Sequence, residues 1–500
     1  MECKIEFKDG FYGEERDDFY NFRWMAEKGK IKIINPDSYK YIQLNVFSNF
    51  RDLSQELSVF YKNNLIFKAK LLHQWHFLTF EIDEKEKEME LEFKINKIFP
   101  KFYYPNDGRT LSIRLANFKL HEDNEKYINV KDAYENALKN IEEMSKGEVF
   151  LSSYPQNLGI DLYEKCNIKP PCVYCLWDES KIMEGTFEDI KINEETFSTY
   201  GNFYSKTRKL INCSIGEPFL NPSIEKILNL FERDEKILEI STNGHCFSER
   251  ILKAIEGKPL IIYISLDAAS EKIYSRLRND QFSRVYENLR KLKDIRRNGW
   301  PKIYLVFMPM KANLEDLENF FKLGKEIEAD TIILRPLNLV KGKRKPVERE
   351  GYKFNYNAEV LSYKENIIIW ERALIFSEKY QISVINQLFF GEEEKTRERA
   401  EIPKEANLCK IPYPICKEPW ENYYILRRGI FPCCYGYKPL GEISSFANCW
   451  NLKEIVEIRK YLREGKLSPY CLESISCPIV RRYKKKKKRF LKIFFDFFKK

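Results

Sequence analysis

The stretch Asn157-Leu-Gly-Ile-Asp-Leu-Tyr-Glu-Lys-Cys166-Asn-Ile-Lys-Pro-Pro-Cys172-Val-Tyr-Cys175 decides the reading of this chain. Its first half is a short apolar run, the pattern of a buried strand. Its second half places three cysteines in a Pro-rich loop directly after that strand. A single cysteine in a strand is core packing, which is the reading for Cys213 and Cys246. Three in one loop are not. Cys172-x2-Cys175 is also the spacing of a structural zinc site, but zinc needs a fourth ligand and no His or further Cys lies near in the sequence. A [4Fe–4S] cubane held by three thiolates keeps one iron open, and an open position is where chemistry occurs.

Working outward, residues 150–345 alternate strand and helix. Candidate strands are 158–165, 209–215, 236–242, 260–267, 303–309 and 330–336. Amphipathic helices lie between them, such as Pro222-Ser-Ile-Glu-Lys-Ile-Leu-Asn-Leu-Phe231 and Leu314-Glu-Asp-Leu-Glu-Asn-Phe-Phe321. Alternating βα units predict a parallel sheet, and six units, fewer than the eight of a closed barrel, predict an open one. Residues 1–148 carry runs of alternating polarity, such as Lys30-Ile-Lys-Ile-Ile-Asn35, Tyr41-Ile-Gln-Leu-Asn-Val46 and Trp75-His-Phe-Leu-Thr-Phe-Glu-Ile82, which predict a β-sandwich-like domain. The expected fold class is therefore α/β, a partial (β/α)6 TIM-like barrel over 149–345 behind that N-terminal domain. A charged helical connector follows at 346–404, then a small Cys-, Pro- and Tyr-rich unit organised by metal at 405–478, then a tail at 479–500.

The bulk composition agrees with packed domains: 43% of the 500 residues are hydrophobic and 15% aromatic. Met1-Glu-Cys-Lys-Ile-Glu-Phe-Lys8 is charged and lacks the apolar core of an export signal, and no run of about 18 apolar residues spans a membrane. Thirteen cysteines in such a chain predict metal or redox use in the cytoplasm, not a disulfide framework. Net charge is +10, yet residues 481–500 hold eleven Lys/Arg and one Asp; without them the 85 basic and 75 acidic residues become 74 of each. A balanced body predicts no nucleic-acid partner.

The strand ends extend the pattern. Tyr174 precedes Cys175; Ile215-Gly216-Glu217-Pro218, Ile240-Ser241-Thr242-Asn243-Gly244, Ile264-Ser265-Leu266-Asp267 and Leu334-Arg335-Pro336-Leu337 each end a candidate strand, and Arg278 follows the fourth. In barrels of this kind chemistry gathers at the C-terminal strand ends. In these features the chain resembles the radical S-adenosylmethionine (SAM) superfamily over residues 155–345 and 405–478. The family signature Cys-x3-Cys-x-aromatic-Cys is met except in its first gap, which is two residues longer between Cys166 and Cys172. The resemblance implies a [4Fe–4S] cluster on Cys166, Cys172 and Cys175. It also implies a SAM site drawn from Gly216, Glu217, Pro218, Ser241, Asn243, Ser265, Asp267 and Arg278. Glu217 would accept from the cofactor ammonium, Gly216 would let the backbone approach, and Arg278 would meet the cofactor carboxylate. The implied chemistry is reductive cleavage of SAM followed by hydrogen abstraction from a peptide or saccharide substrate. A low-potential donor of flavodoxin or ferredoxin type would supply the electron. No catalytic acid, base or hydrogen donor is assigned.

Cys416, twelve residues, Gly429, four residues, Cys434 resembles the opening of the SPASM auxiliary-cluster domain, while the later part keeps only Cys471-x5-Cys477. The resemblance implies one auxiliary [4Fe–4S] cluster on Cys416, Cys434, Cys471 and Cys477, with Cys409, Cys433 and Cys449 as further candidates. A four-thiolate zinc knot is the alternative. It would make the chain a zinc-stapled binding protein without catalysis. In the tail, Phe490, Leu491, Ile493, Phe494, Phe495, Phe497 and Phe498 fall within about 200° of a helical wheel. Following Lys484-Lys-Lys-Lys-Lys-Arg489, they make 481–500 a basic amphipathic segment suited to an anionic membrane surface. On that ground a membrane adaptor is a third reading. At the other end, Gly10-Phe-Tyr-Gly-Glu-Glu15, Phe22-Arg-Trp-Met25 and Asp107-Gly-Arg-Thr-Leu111 resemble a β-sandwich module that accompanies cell-surface glycan enzymes.

Overall fold

The computed structural model describes residues 3–16, 21–36, 38–50, 55–71, 75–82, 86–99, 107–122, 125–175, 192–214, 216–297, 299–337, 345–388, 416–442, 449–474 and 477–481. Ile215, Cys409 and residues 482–500 of the tail lie outside them.

The first ten strands are β1 (Lys4–Phe7), β2 (Phe11–Arg16), β3 (Asn21–Met25), β4 (Lys28–Ile34), β5 (Tyr41–Ser48), β6 (Gln55–Tyr61), β7 (Asn64–Leu71), β8 (Trp75–Glu81), β9 (Glu88–Ile95) and β10 (Ile113–His121). They form two antiparallel sheets, β1-β4-β9-β6-β7 and β2-β3-β10-β5-β8. The period-2 patterning works as sandwich physics requires: Ile31, Ile33, Leu57, Val59, Leu91 and Phe93 of one sheet share a buried core with Ile42, Leu44, Val46, Leu78 and Ile113 of the other. Gly10 has φ +84°, and a Cβ there would stand 1.8 Å from the Lys28 carbonyl oxygen, so only glycine fits this turn.

Three N-terminal segments noted in the sequence prove to hold this body together. Arg109 donates to Asp107 (2.7–3.2 Å) and to Glu15 (2.5 Å), and its guanidinium lies over the Tyr12 ring. The Tyr12 hydroxyl bridges the backbone N–H and carbonyl of Thr110. Phe22 and Trp24 point the other way, out of the sandwich, with the Arg114 guanidinium about 5 Å from both rings.

Their target is the second body. After helix α1 (Glu125–Lys146) come β11 (Asn157–Ile160), β12 (Lys209–Asn212), β13 (Ile237–Thr242), β14 (Leu260–Ser265), β15 (Lys302–Phe307), β16 (Thr331–Leu334), the hairpin strands β17 (Val347–Arg349) and β18 (Tyr352–Phe354), β19 (Ser383–Asn386), β20 (Asn422–Leu426) and β21 (Gly429–Phe431). One nine-stranded sheet runs β19-β16-β15-β14-β13-β12-β11-β20-β21. It is parallel from β19 through β20, with β21 antiparallel at the edge. The six expected strands lie in sequential order, as the α/β reading requires. Two further parallel strands extend them: β19 from the connector and β20 from the Cys-rich unit. Both lie outside residues 150–345, where strand and helix alternate regularly in the sequence.

Leu158, Ile160, Leu210, Leu238, Ile240, Ile262, Ile264, Leu305 and Phe307 pack in the same core as the crossover helices. Ile261, Tyr304, Val306 and Ile333, on the inner face, pack with Phe22, Trp24, Leu111 and Ala116 of the sandwich. The N-terminal body thus closes the inner face of β14–β16 and leaves the C-terminal strand ends as the place for a site. Among the described residues, no helix is long and apolar enough to cross a membrane.

Candidate active site

The chain segment entering the cysteine loop is pinned to the end of β12. The Leu162 N–H donates to Ser214 Oγ (2.6 Å) and Asn212 Oδ1 (3.2 Å), and the Tyr163 N–H also donates to Ser214 Oγ (2.9 Å). Gly216 is needed where these strands meet: a Cβ there would lie 2.3 Å from the Glu164 carbonyl carbon and 2.5 Å from the Lys165 nitrogen. The loop then turns, with the Cys175 N–H donating to the Cys172 carbonyl at 2.9 Å.

Cys175 lies close enough to Cys166 and Cys172 that its thiolate would raise both, and Cys166 adds to the rise at Cys172. Burial pushes the Cys172 thiol up to about 11 against the pull of Arg278, and burial raises Cys166 as well. Two N–H donors point at the sulfurs: Asn243 Nδ2 stands 3.8 Å from Cys166 Sγ, and Arg278 Nη1 stands 3.8 Å from Cys172 Sγ. The donor set fits a three-thiolate cluster, because buried thiols become ligands only when metal displaces their protons. Among the described residues no three His, Cys, Asp or Glu side chains gather as for a single metal ion. In a cluster each thiolate stands on its own iron.

The sequence-predicted strand-end residues do converge here, with roles the sequence did not disclose. Glu217 is 1% exposed, and both of its carboxylate oxygens are engaged. Oε1 accepts from Thr242 Oγ1 (2.7 Å) and the Phe219 N–H (3.3 Å), and Oε2 accepts from the Asn243 N–H (2.8 Å). Burial pushes this carboxyl up to about 7. Glu217 therefore ties β12 to β13, and Pro218 opens the short 3-10 turn beyond it. Asn243 Nδ2 also donates to Asn167 Oδ1 at 2.7 Å, fixing the residue after Cys166.

At the end of β14, Asp267 has φ +63° and Arg278 is 3% exposed. Asp267 Oδ2 accepts from Arg278 Nη2 (2.7 Å) and the Tyr174 hydroxyl (2.5 Å), and Oδ1 accepts from the Met308 N–H (2.8 Å). Arg278 Nε donates to the Leu266 carbonyl, and Arg349 of β17 donates to the carbonyls of Arg278 and Pro171. Ser241 and Ser265 are half-buried on the inner face at the ends of β13 and β14. Arg335, beyond β16, donates to Gln387.

Residues 160–324 match the Radical SAM superfamily. This segment is a radical SAM domain. Its match begins at the last residue of β11, just before the cysteine loop, and ends within the helix after β15. No curated protein matches the chain. Among solved structures, Streptococcus suis SuiB is similar at 15% identity and a TM-score of 0.48, with 69% of this chain and 75% of SuiB covered. SuiB bound to its precursor peptide SuiA gives 13%, 0.48, 76% and 80%, and anSMEcpe with bound AdoMet gives 17%, 0.43, 61% and 80%.

Beyond the radical SAM domain, a cavity of about 30 Å³ is lined by Cys416, Cys433, Cys471 and Cys477 with Pro419 and Tyr470. Cys433 lines this cavity, and Cys434, which the family resemblance named, does not. Cys434, in the turn after β21, lies close to Tyr424, Glu418 and Cys477. Cys449 is 2% exposed in the hydrophobic core. Cys246, expected as core packing in a strand, instead lies half-buried in the turn after β13 and beside the first cysteine loop, where Asn167, whose role sequence reading missed, donates to its Sγ at 3.3 Å. Neither carries a pattern of its own; only the fold brings the turn after β13 against the loop.

Proposed function

We propose that this chain is a radical SAM enzyme that binds a [4Fe–4S] cluster through Cys166, Cys172 and Cys175 and cleaves SAM reductively. The observation that carries it is the convergence of three thiols at the C-terminal end of β11, with N–H donors of Asn243 and Arg278 aimed at two sulfurs. When bound, the cluster and SAM supply the electron transfer and hydrogen-abstraction chemistry. The chain's residues supply position. Asn243 and Arg278 orient and polarise the sulfurs, and Gly216 allows close backbone approach. Ser241, Ser265 and the turn at Pro218 line the inner face where the cofactor would lie. Glu217 and Asp267 act as braces within the set, since their oxygens are already held by the chain.

A second, auxiliary cluster is proposed on Cys416, Cys471, Cys477 and one of the adjacent pair Cys433 and Cys434, with the cavity lining favouring Cys433. The substrate is proposed to be a peptide or a saccharide, and the electron donor a flavodoxin or ferredoxin. The basic segment 481–500 is proposed to rest on an anionic membrane surface. Deleting 481–500 should release the protein from anionic liposomes in co-sedimentation, and unchanged binding would refute that role. The enzymatic reading is tested by anaerobic reconstitution. Iron and sulfide with release of 5′-deoxyadenosine support it, whereas stoichiometric zinc without SAM cleavage sinks it.

A further inference from the structure

The cysteine loop is longer than the family signature between Cys166 and Cys172, and Pro170 and Pro171 stand directly before Cys172. Proline has no N–H, so neither residue can brace the loop as a backbone donor. Their carbonyls still need partners, and a longer loop has more freedom to lose. Cys172 therefore needs a support from outside the loop.

That support comes from beyond the matched segment 160–324. Arg349 of β17 donates through Nη2 to the Pro171 carbonyl and through Nη1 to the Arg278 carbonyl. One planar guanidinium thus joins two chain segments: the residue before Cys172 and the end of the helix Glu271–Leu277. The side chains of those segments meet, with Arg278 Nη1 standing 3.8 Å from Cys172 Sγ. On the other side of the cysteine, the Val173 N–H donates to the Leu277 carbonyl at 3.0 Å. Cys172 is gripped through both neighbours, and Arg349 makes one of the two grips.

Arg349 is itself placed by a tight hairpin. β17 and β18 pair Val347 with Phe354 and Arg349 with Tyr352. Glu350 and Gly351 join them, at φ +49° and +66°, as a two-residue turn requires. Phe354 anchors the hairpin in the core. The Tyr352 hydroxyl donates to Glu359 Oε1 (2.6 Å), and Glu359 Oε2 accepts from the Ala312 N–H (2.8 Å). The Arg276 guanidinium lies 4.7 Å from the Tyr352 ring centre and donates to the Ala312 carbonyl (2.9 Å).

We propose that Arg349 is a positioning residue for the cluster: it holds Cys172 against Arg278 and so fixes the positive charge and N–H donor presented to that sulfur. This rests on the radical SAM reading and adds to its site a residue from outside the matched segment. Reduction makes a cluster more negative, so charge and donors at its sulfurs favour the reduced form. Without Arg349 the Cys172 and Arg278 segments separate, and the cluster becomes harder to reduce.

The test uses Arg349→Met, which keeps length and removes the donors, and Arg349→Lys, which returns a cation with N–H groups. In the metal-free full chain, iodoacetamide labelling of each cysteine is timed by mass spectrometry. Cys449, buried in the core, reports general loosening, and Cys166 reports the other end of the loop. Cys172 should be labelled about tenfold or more faster in Arg349→Met, an opening easier by about 1.4 kcal/mol, while Cys166 and Cys449 keep their wild-type rates. After reconstitution, the midpoint potential of the SAM-binding cluster, recognised by the change in its EPR signal on SAM addition, should fall in Arg349→Met. Arg349→Lys should stand between the two proteins in both readouts. Equal acceleration at all three thiols would mean a merely structural role and overturns the proposal. So does unchanged labelling of Cys172, or an unchanged potential in a variant that holds its cluster. A wild type that takes up no cluster refutes the radical SAM reading instead, and the metal-free labelling still decides whether Arg349 positions Cys172.

Discussion

Arg278 and Asp267 form an ion pair at 2.7 Å with their side chains only 4% and 2% exposed. Tyr174 donates to the same Asp267 oxygen, and Arg278 reaches Cys172 Sγ, so the pair connects the end of β14 to the cysteine loop. Removing one member leaves the other charge buried without compensation, which costs about 3–5 kcal/mol. Arg278→Gln or Asp267→Asn should therefore lower the unfolding free energy by about that amount in urea titrations and reduce iron uptake. A loss below about 1 kcal/mol, within the range of an exposed pair, would contradict this.

Gly216→Ala should be disproportionately harmful. Its Cβ would stand 2.3 Å from the Glu164 carbonyl carbon, a backbone atom that cannot rotate away. Overpacking of this kind costs about 1–3 kcal/mol. It also pushes the end of β12 away from the segment entering Cys166. A lowered melting temperature together with impaired cluster loading is expected; normal values of both would show that the strands are not locked there.

The pH dependence of stability should carry a Glu217 component. Burial raises this carboxyl from its ordinary 4.5 to about 7, so between those values the folded chain holds a proton that the unfolded chain has released. Its contribution is complete below about 4.5 and declines as pH rises toward 7, by at most about 1.4 kcal/mol per pH unit. Asp161, pushed up to about 6 by burial, adds a decline of the same sign, so the comparison must be with a variant. Glu217→Gln cannot titrate. The stability gap between wild type and variant should shift by up to about 3 kcal/mol across that window. A gap constant with pH would contradict the buried, proton-holding carboxyl.

The βα alternation made the sheet readable because each core strand is an apolar run between amphipathic helices. The strands β19 and β20 escaped because Ser383–Asn386 and Asn422–Leu426 lie in the charged connector and the Cys-rich unit, beyond the regular strand–helix alternation of 150–345. Gly216, Glu217, Asn243 and Asp267 at strand ends, and Arg278 at the end of the helix after β14, were legible through family resemblance. Their pairing was not: nothing local says that Glu217 spends its carboxylate on Thr242 and Asn243, or that Arg349 clasps the loop at Pro171. The same limit explains Phe22 and Trp24, whose alternation marks a strand and not the inner face of β14–β16 that they cover.

Cys433 and Cys434 can be told apart by metal content. Cys433 lines the cavity with Cys416, Cys471 and Cys477, whereas Cys434 is exposed. Cys433→Ala should lose the iron of the auxiliary site, and Cys434→Ala should keep it. The opposite pattern would return the assignment to Cys434.

The most direct test of the account is SAM cleavage by the anaerobically reconstituted, reduced protein, compared with a variant in which Cys166, Cys172 and Cys175 are all Ala. The account predicts 5′-deoxyadenosine from the wild type and none from the variant, with the auxiliary iron still present in both. Equal release from the two proteins, or none from an iron-loaded wild type, would contradict it.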